Sequence, residues 1–287
     1  MAPIYQFELS KEEAEGFRKL GYNPLEMKSE TTQIAELDRS NWIVVPMKEG
    51  NKFVKDSYAF DISPARLSYS PAVEKVGKEL GVNYKNTSKD SLGREFVGNN
   101  NWKESMMLPQ FLGVKATNLN EEVDYMHLLY LGSQNKIKVY DVSGKQVDSK
   151  LCEKLLMDKI QPKAPWRANW IDADYKTGEQ GLEVHSNHIF DKQGNIINYK
   201  SEILSEDTLK ENKQIDVINF ITKNHTSQGQ ISKNVKSGDF YSYSPGNDNN
   251  SVSGLDADSG RADLGSGGYP SDRYSDIGVD VVAPRKQ

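Results

Sequence analysis

The spacing of apolar residues along the chain alternates between the period of a helix and the period of a strand. Helical spacing, with capping residues before the first turn or a glycine after the last, predicts five helices. They cover approximately residues 10–20, 70–81, 120–132, 148–160 and 205–223. Alternation with a period of two predicts short strands between these helices, at residues 5–9, 41–46, 53–54, 137–140 and 146–147.

The clearest strand pattern extends from Trp170 to Leu204. It contains three alternating segments, WIDADYK, LEVHSNHIF and IINYKSEIL, and the two turns between them contain glycine. This pattern predicts a three-stranded antiparallel meander over residues 170–204. Together with the helices it indicates an α+β fold.

The composition changes towards the C-terminus. Between Ser237 and Tyr274, 24 of 38 residues are Gly, Ser, Asp or Asn, which predicts a flexible, disordered tail. The last residues differ, because apolar side chains return there as Ile277, Val279, Val281 and Val282. We expect these four residues to form a tethered strand that pairs with a sheet edge. The edge could belong to the body of the same chain, to another subunit or to a protein partner, and the length of the linker favours another subunit or a partner.

These changes predict four regions. Residues 1–90 form an N-terminal α+β region, and residues 91–227 form a central module that contains the meander and a closing helix. Residues 228–275 form the flexible linker, and residues 276–287 form the terminal docking motif.

Charge and cysteine content exclude several classes of protein. The chain has 36 Lys and Arg against 41 Asp and Glu, and Lys outnumbers Arg by 28 to 8. This balance argues against sequence-specific binding of nucleic acid. One cysteine, Cys152, excludes an intramolecular disulfide and a multi-cysteine metal site. No phosphate-binding loop is present, so we expect no cofactor.

The chain also lacks the sequence features of membrane insertion and secretion. No apolar run reaches the length of a membrane span, and the first residues contain no signal-peptide pattern. We therefore expect no membrane association, and a location in the cytoplasm or in a particle assembled there.

One group of residues in the meander has the chemistry of a metal site. Asp172 and Asp174 alternate on the first strand, and His185 and His188 lie on the second. Asp and His are common ligands of divalent metals. A register that places an aspartate opposite His185 would form an Asp–Asp–His cluster, whereas His188 would face the other side unless a bulge interrupts the strand.

The competing interpretation is that Asp172, Asp174 and Lys176 form the solvated face of a half-buried sheet. We expect this second arrangement, and therefore no tightly bound divalent ion.

A second candidate site consists of aromatic residues. Trp166 and Trp170 flank Arg167, which predicts a stacking platform for a sugar or a base if both indoles are exposed. Buried aromatic residues that anchor a sheet are the alternative.

Two functional hypotheses remain. The first is a non-enzymatic interaction or assembly protein, for example a virion component, that binds through the C-terminal motif. The alternative is a divalent-metal-dependent hydrolase or nuclease that uses Asp172, Asp174 and His185. The absence of a known catalytic motif favours the first, and whether the protein is an enzyme stays open.

Overall fold

A computed structural model describes residues 37–82, 89–90, 92–246 and 249–284. These residues belong to one compact unit that begins at Leu37. The helix expected at residues 10–20 and the strand expected at 5–9 lie outside the described residues. The described helices are α1 (Pro71–Leu80), α2 (Trp102–Phe111), α3 (Leu119–Ser133), α4 (Ser149–Ile160) and α5 (Val217–Thr222).

The strands alternate with these helices along the chain. They are β1 (Ile43–Val45), β2 (Lys48–Glu49), β3 (Lys52–Phe53), β4 (Phe60–Ile62), β5 (Lys115–Ala116), β6 (Arg167–Gly178), β7 (Gly181–Phe190), β8 (Ile196–Ile203), β9 (Lys213–Ile215), β10 (Phe240–Tyr243), β11 (Ser251–Ala257), β12 (Ala262–Gly268), β13 (Ile277–Val279) and β14 (Val281–Pro284). The mixture of helices and sheets confirms the α+β class.

Helix ends follow the local capping signals. Ser70 accepts a hydrogen bond from the Val73 amide at the start of α1, and Gly81 ends that helix in the left-handed conformation. Asn101 caps the start of α2, a helix that the apolar pattern did not predict and that contains Pro109. The helix predicted at 205–223 is wrong in its first half, where a loop and β9 precede the short α5.

The predicted meander is present as part of a larger sheet. Strands β6, β7 and β8 are antiparallel neighbours, and the sheet has the order β8-β7-β6-β11-β12-β10-β9. Strand β13 pairs in parallel with the first part of β6, which β7 does not reach. A second sheet of four strands has the order β1-β4-β14-β5.

The expectation of a flexible linker at residues 228–275 is wrong, because β10, β11 and β12 lie inside the large sheet. Its small residues accommodate neighbouring rings. A Cβ atom on Gly268 would lie 3.3 Å from the Trp170 ring, so only glycine leaves the indole its present space. Buried Ser253 and Ser266 both hydrogen-bond the Tyr175 hydroxyl, at 2.8 and 3.1 Å. Composition alone does not distinguish this packing from disorder.

The C-terminal motif is an internal part of the fold. Ile277 and Val279 lie on β13, and Val281 and Val282 lie on β14 between β4 and β5. All four side chains are at most 5% exposed. The pairing with a sheet edge occurs within this chain, so the expected docking surface for a partner is not available. The predicted boundaries at residues 90 and 228 are likewise not seen, because β14 joins β4 in one sheet.

Helices cover both faces of the large sheet around β6. Helices α3 and α4 share one core with Ile171, Ala173 and Tyr175, and α2 shares the other core with Ala168 and Trp170. Both faces of β6 are therefore buried, which contradicts a solvated face. Within the described part of the chain, no helix has the length and apolar character needed to cross a membrane.

Candidate functional site

The register between β6 and β7 brings an aspartate and a histidine together. Asp174 lies directly opposite His185, so both side chains lie on the same face of the sheet. Asp172 lies two residues before Asp174 and shares that face. Asp172 and Asp174 are only 3% and 6% exposed. This is the register that the metal hypothesis requires.

A bulge in β7 adds His188 to the same face. Asn187 has φ of 54°, in the left-handed region, and the pairing of β7 with β8 shifts between Ser186 and Ile189. Lys115 Nζ and Asn118 Nδ2 donate hydrogen bonds to Asn187 Oδ1, at 2.8 and 3.2 Å. These contacts fix the bulge. In a regular strand His188 would lie on the opposite face of the sheet from His185, and the bulge places both histidines on the same face.

Three potential ligand atoms converge in this His–Asp cluster (Asp172, Asp174, His185 and His188). Asp174 Oδ1 lies 3.1 Å from His188 Nε2 and 3.5 Å from His185 Nδ1. Asp174 Oδ1 and His188 Nε2 pair with each other, and neither buried atom has a further hydrogen-bond partner among the described residues. The three ligand atoms lie within 4.8 Å of one another. Metal–ligand bonds of about 2.0–2.2 Å in a tetrahedral site place ligand atoms about 3.3–3.6 Å apart.

Each imidazole has a carboxylate on its outer nitrogen. His188 Nδ1 donates to Asp172 Oδ1 at 2.5 Å, and the His188 amide donates to Asp172 Oδ2 at 3.2 Å. Glu183 Oε2 lies 3.3 Å from His185 Nε2 and accepts a hydrogen bond from Ser201 Oγ at 2.8 Å. Such outer carboxylates orient metal-binding histidines and leave the inner nitrogen free for the ion.

The charges around Asp174 favour a cation at the centre of the cluster. Burial raises the pKa of Asp174, but the hydrogen bond and charge of His188, with His185 and Lys176, outweigh burial and lower it. Burial lowers the pKa of His188, but hydrogen bonds and charges from Asp172 and Asp174 outweigh it and raise that pKa to about 9. The cluster therefore holds a proton on the inner side of His188, and a metal ion would take the place of that proton.

Aromatic rings enclose most of the site. Trp102 meets His188 edge-on with ring centres 5.1 Å apart. Tyr199 stacks on His185 at 4.4 Å and is 46% exposed. A shallow depression adjoins Glu183 and is lined by Glu179, Gln180, Glu183, Ser201 and Ile203. The side of the cluster that carries Tyr199 and Glu183 is therefore its open side.

The structure brings together only part of the predicted set of metal ligands. Asp174 and His185 contribute inner atoms, whereas Asp172 supports His188 and does not face the centre. His188 replaces it, a role that the regular-strand assumption missed. The available signal was Asn187, since Asn adopts the left-handed conformation more readily than most residues and therefore marks a break in a strand.

The aromatic platform is not formed. Trp170 is buried and donates to the Asn100 carbonyl at 3.1 Å. Arg167 is also buried and caps the end of α4, where it donates to the carbonyls of Asp158 and Gln161 at 2.6 and 2.5 Å. Trp166 is half-buried, donates a hydrogen bond to Asp256 Oδ1 at 2.5 Å and packs edge-on against Tyr274. Two exposed indoles, which the platform requires, are therefore absent from this segment.

Comparison with known proteins gives no assignment. No protein-family model matches the chain, and neither the curated proteins nor the solved structures contain a significant match.

Proposed function

We propose that the protein is a divalent-metal-dependent hydrolase whose metal ligands are Asp174, His185 and His188. The observation that supports it most directly is the convergence of three buried ligand atoms, Asp174 Oδ1, His188 Nε2 and His185 Nδ1, within 4.8 Å of one another. In the structure Asp174 Oδ1 contacts the two imidazoles at 3.1 and 3.5 Å, and a metal ion between the three atoms would replace these contacts by ligand bonds.

The number of ligands favours a catalytic centre over a structural one. Structural zinc sites are closed by four protein ligands, whereas catalytic sites use three and leave a position for water or substrate. Asp174, His185 and His188 would hold the ion, which would supply a water of lowered pKa, about 7, and a Lewis acid for a scissile ester. Asp172 and Glu183 would hold the two imidazoles in place, and Tyr199 would limit access to the open side.

The expectation of no bound divalent ion depended on a solvated face for Asp172 and Asp174. Their burial removes that reason. The hypothesis of an assembly protein or virion component stays a prediction, but the C-terminal motif that supported it is buried. We therefore favour the hydrolase.

Metal binding is tested by thermal unfolding and calorimetry. Zinc or manganese should raise the melting temperature of the EDTA-treated protein, with a gain of about 2.7 kcal/mol at a metal concentration 100 times Kd. His188→Gln should remove this response. His225→Gln is the matched control, because His225 lies outside the cluster and its loss should leave the response intact. A metal response that survives in His188→Gln would contradict the ligand assignment.

Hydrolysis is tested with the metal-loaded protein on chromogenic phosphate and carboxylic esters. We expect turnover that EDTA abolishes and that Asp174→Asn also abolishes, because the substitution removes the anionic ligand. Metal binding at the cluster without turnover on any ester class would contradict the hydrolase and leave a purely structural ion.

A further inference from the structure

A second charged cluster lies between α3, α4 and the C-terminal strands. We call it the Lys–acid triad (Glu122, Lys159 and Asp280). Glu122 lies in the first turn of α3, Lys159 in the last turn of α4, and Asp280 between β13 and β14. Lys159 Nζ lies 2.5 Å from Glu122 Oε1 and forms a second, short contact with Asp280 Oδ2. The cited side chains are between 0% and 6% exposed.

The surroundings of the triad exclude water and hold the aspartate in place. The Tyr125 ring centre lies 5.5 Å from Lys159 Nζ, and Tyr125 is itself fully buried. Asn169 Nδ2 donates to Asp280 Oδ2 at 3.0 Å. Among the described residues, neither Glu122 Oε2 nor Asp280 Oδ1 has a hydrogen-bond partner of good geometry. Two carboxylates and one ammonium group are thus buried with incomplete pairing, an arrangement that is expensive as long as the groups stay ionised.

We propose that Lys159 and Asp280 condense to form an intramolecular amide bond, with Glu122 as the proton carrier. This proposal concerns a different site from the His–Asp cluster and does not depend on hydrolase activity. The Lys159 nitrogen is in contact with the carboxyl group that it would attack, and the second acid contacts the same nitrogen. Reaction groups held together in this way gain a large effective concentration.

The reaction is a condensation that needs no oxidant or other reagent. A proton moves from the Lys159 ammonium group to the Asp280 carboxylate, which gives a neutral amine and a carboxylic acid. The Lys159 nitrogen then attacks Cγ of Asp280. Glu122 accepts the excess proton from that nitrogen and delivers it to the departing hydroxyl group, which leaves as water. The products are one amide, one water molecule and Glu122 in its original state.

The electrostatics of the triad agree with this role for Glu122. Burial, its largest influence, raises the pKa of Glu122 and so increases its affinity for a proton. Burial would lower the pKa of Lys159, but the carboxylates of Asp280 and Glu122 outweigh it and raise that pKa. Lys159 therefore enters the reaction of the triad as an ammonium group. Proton transfer within the triad removes two buried charges, which a surrounding of low polarity favours.

The bond would close a large loop. Lys159 and Asp280 are 121 positions apart, so the amide would tie α4 to the strands at the C-terminal end of the chain. A link across a long loop restricts the unfolded chain and raises the melting temperature.

Intact-mass measurement of the denatured wild-type protein tests the proposal directly. We expect a mass lower than that of the sequence by one water molecule. Proteolytic mapping should recover a branched peptide that contains both Lys159 and Asp280. Lys48 and Asp124 are the internal control, because their ion pair of 2.6 Å lacks a second acid on the lysine in the described part of the chain. Full sequence mass, or loss of water mapped to another site, would overturn the proposal.

Variants test the proposed roles. Asp280→Asn should still form the bond but release ammonia, so its mass should fall by that of ammonia. Glu122→Gln should keep the full sequence mass, because the side chain can no longer carry the proton. Bond formation in Glu122→Gln would overturn the assigned role of Glu122. If either variant fails to fold, the mass and peptide map of the wild-type protein still decide the question.

Discussion

The two buried charged clusters contain similar groups but differ in their access to solvent. The His–Asp cluster has an open side next to Tyr199, which is 46% exposed, and its bases are imidazoles, a group that binds either a proton or a metal. The Lys–acid triad has no exposed member, and its nitrogen is an ammonium group. The first arrangement suits repeated exchange with solution, whereas the second suits a reaction that occurs once within the chain.

The backbone of Thr117 connects the two clusters. The Asp172 amide donates to the Thr117 carbonyl at 2.8 Å, and the Thr117 amide donates to the Asp280 carbonyl at 3.0 Å. Both clusters therefore depend on the C-terminal segment, the first through β11 beside β6 and the second through Asp280 itself.

The largest expected effect follows from removal of that segment. Truncation after residue 232 deletes β10 to β14, which exposes both β6 and β4 and removes Asp280. We expect loss of cooperative unfolding, measured by circular dichroism during heating. A truncated protein that melts as the full chain does would restore the sequence expectation of a dispensable tail.

The next largest effect should follow from loss of the ammonium group in the triad. Lys159→Met leaves Glu122 and Asp280 buried without the Lys159 nitrogen. Removal of one partner from a buried ion pair costs about 3–5 kcal/mol in free energy of unfolding, and the variant also lacks the proposed Lys159–Asp280 amide, so the loss should be at least this large. Chemical denaturation measures this cost. Lys48→Met is the control, and its loss should be smaller because Asp124 is less buried and reaches solvent. Equal losses would show that burial of the triad has no special energetic consequence.

The sequence predicted the elements around these clusters better than it predicted the clusters. Capping residues located α1, α3 and α4, and alternation located β6, β7 and β8. The assignment of Gly254 and Ser266 to a flexible tail was wrong, because small residues also occur where a buried ring needs space. The position of His188 depended on one left-handed residue, Asn187, and periodicity cannot show such a break.

The Lys–acid triad was beyond sequence reasoning for a different reason. Its members come from two helices and a C-terminal strand connection, at positions 122, 159 and 280. Each looks like an ordinary charged residue in its own segment. Only the pairing of β14 with β4 and β5 brings Asp280 to the two helices.

A smaller effect should show whether Asp172 binds the metal itself or only holds His188 in place. Asp172→Asn keeps the size of the side chain but weakens the hold on His188 Nδ1. We expect zinc affinity to fall by about 10- to 100-fold, as for loss of other outer carboxylates, while the three ligands still bind. Calorimetric titration measures the affinity. Complete loss of binding would make Asp172 a ligand, and unchanged affinity would remove its supporting role.

A third buried histidine, His127, shows how burial changes the pKa of an imidazole that has no carboxylate partner within the residues that the structure describes. His127 lies on α3 and packs against Phe53. Burial, with the charges of Lys48 and His225, lowers the pKa of His127 to about 4. The unfolded chain binds the proton more tightly, so stability is complete above pH 6.5 and falls as the pH decreases towards 4. We expect His127 to contribute a loss of about 1–2 kcal/mol between pH 6.5 and pH 5.

Denaturation of wild type and His127→Gln at both pH values isolates this contribution. The variant should lose less stability than the wild-type protein. Asp263, whose pKa burial raises to about 7, contributes an opposite slope in both proteins and cancels in the difference. Parallel pH profiles would show that His127 is not held in its neutral form.

The smallest effect on stability should come from the loss of Lys176, although this loss should change the metal affinity of the His–Asp cluster. Lys176 Nζ lies 3.4 Å from Asp174 Oδ2, and its side chain is 40% exposed. Exposed ion pairs contribute about 0–1 kcal/mol, so Lys176→Gln should barely change the melting temperature. The substitution removes a cation that competes with a metal for Asp174, so zinc affinity should rise severalfold and the rise should shrink at high salt. Lys200→Gln is the control, because Lys200 pairs with Glu202 on exposed β8 and does not contact Asp174. Equal affinity in both variants and the wild-type protein would mean that the charge on Asp174 does not attract the ion, and that would contradict Asp174 as the anionic ligand.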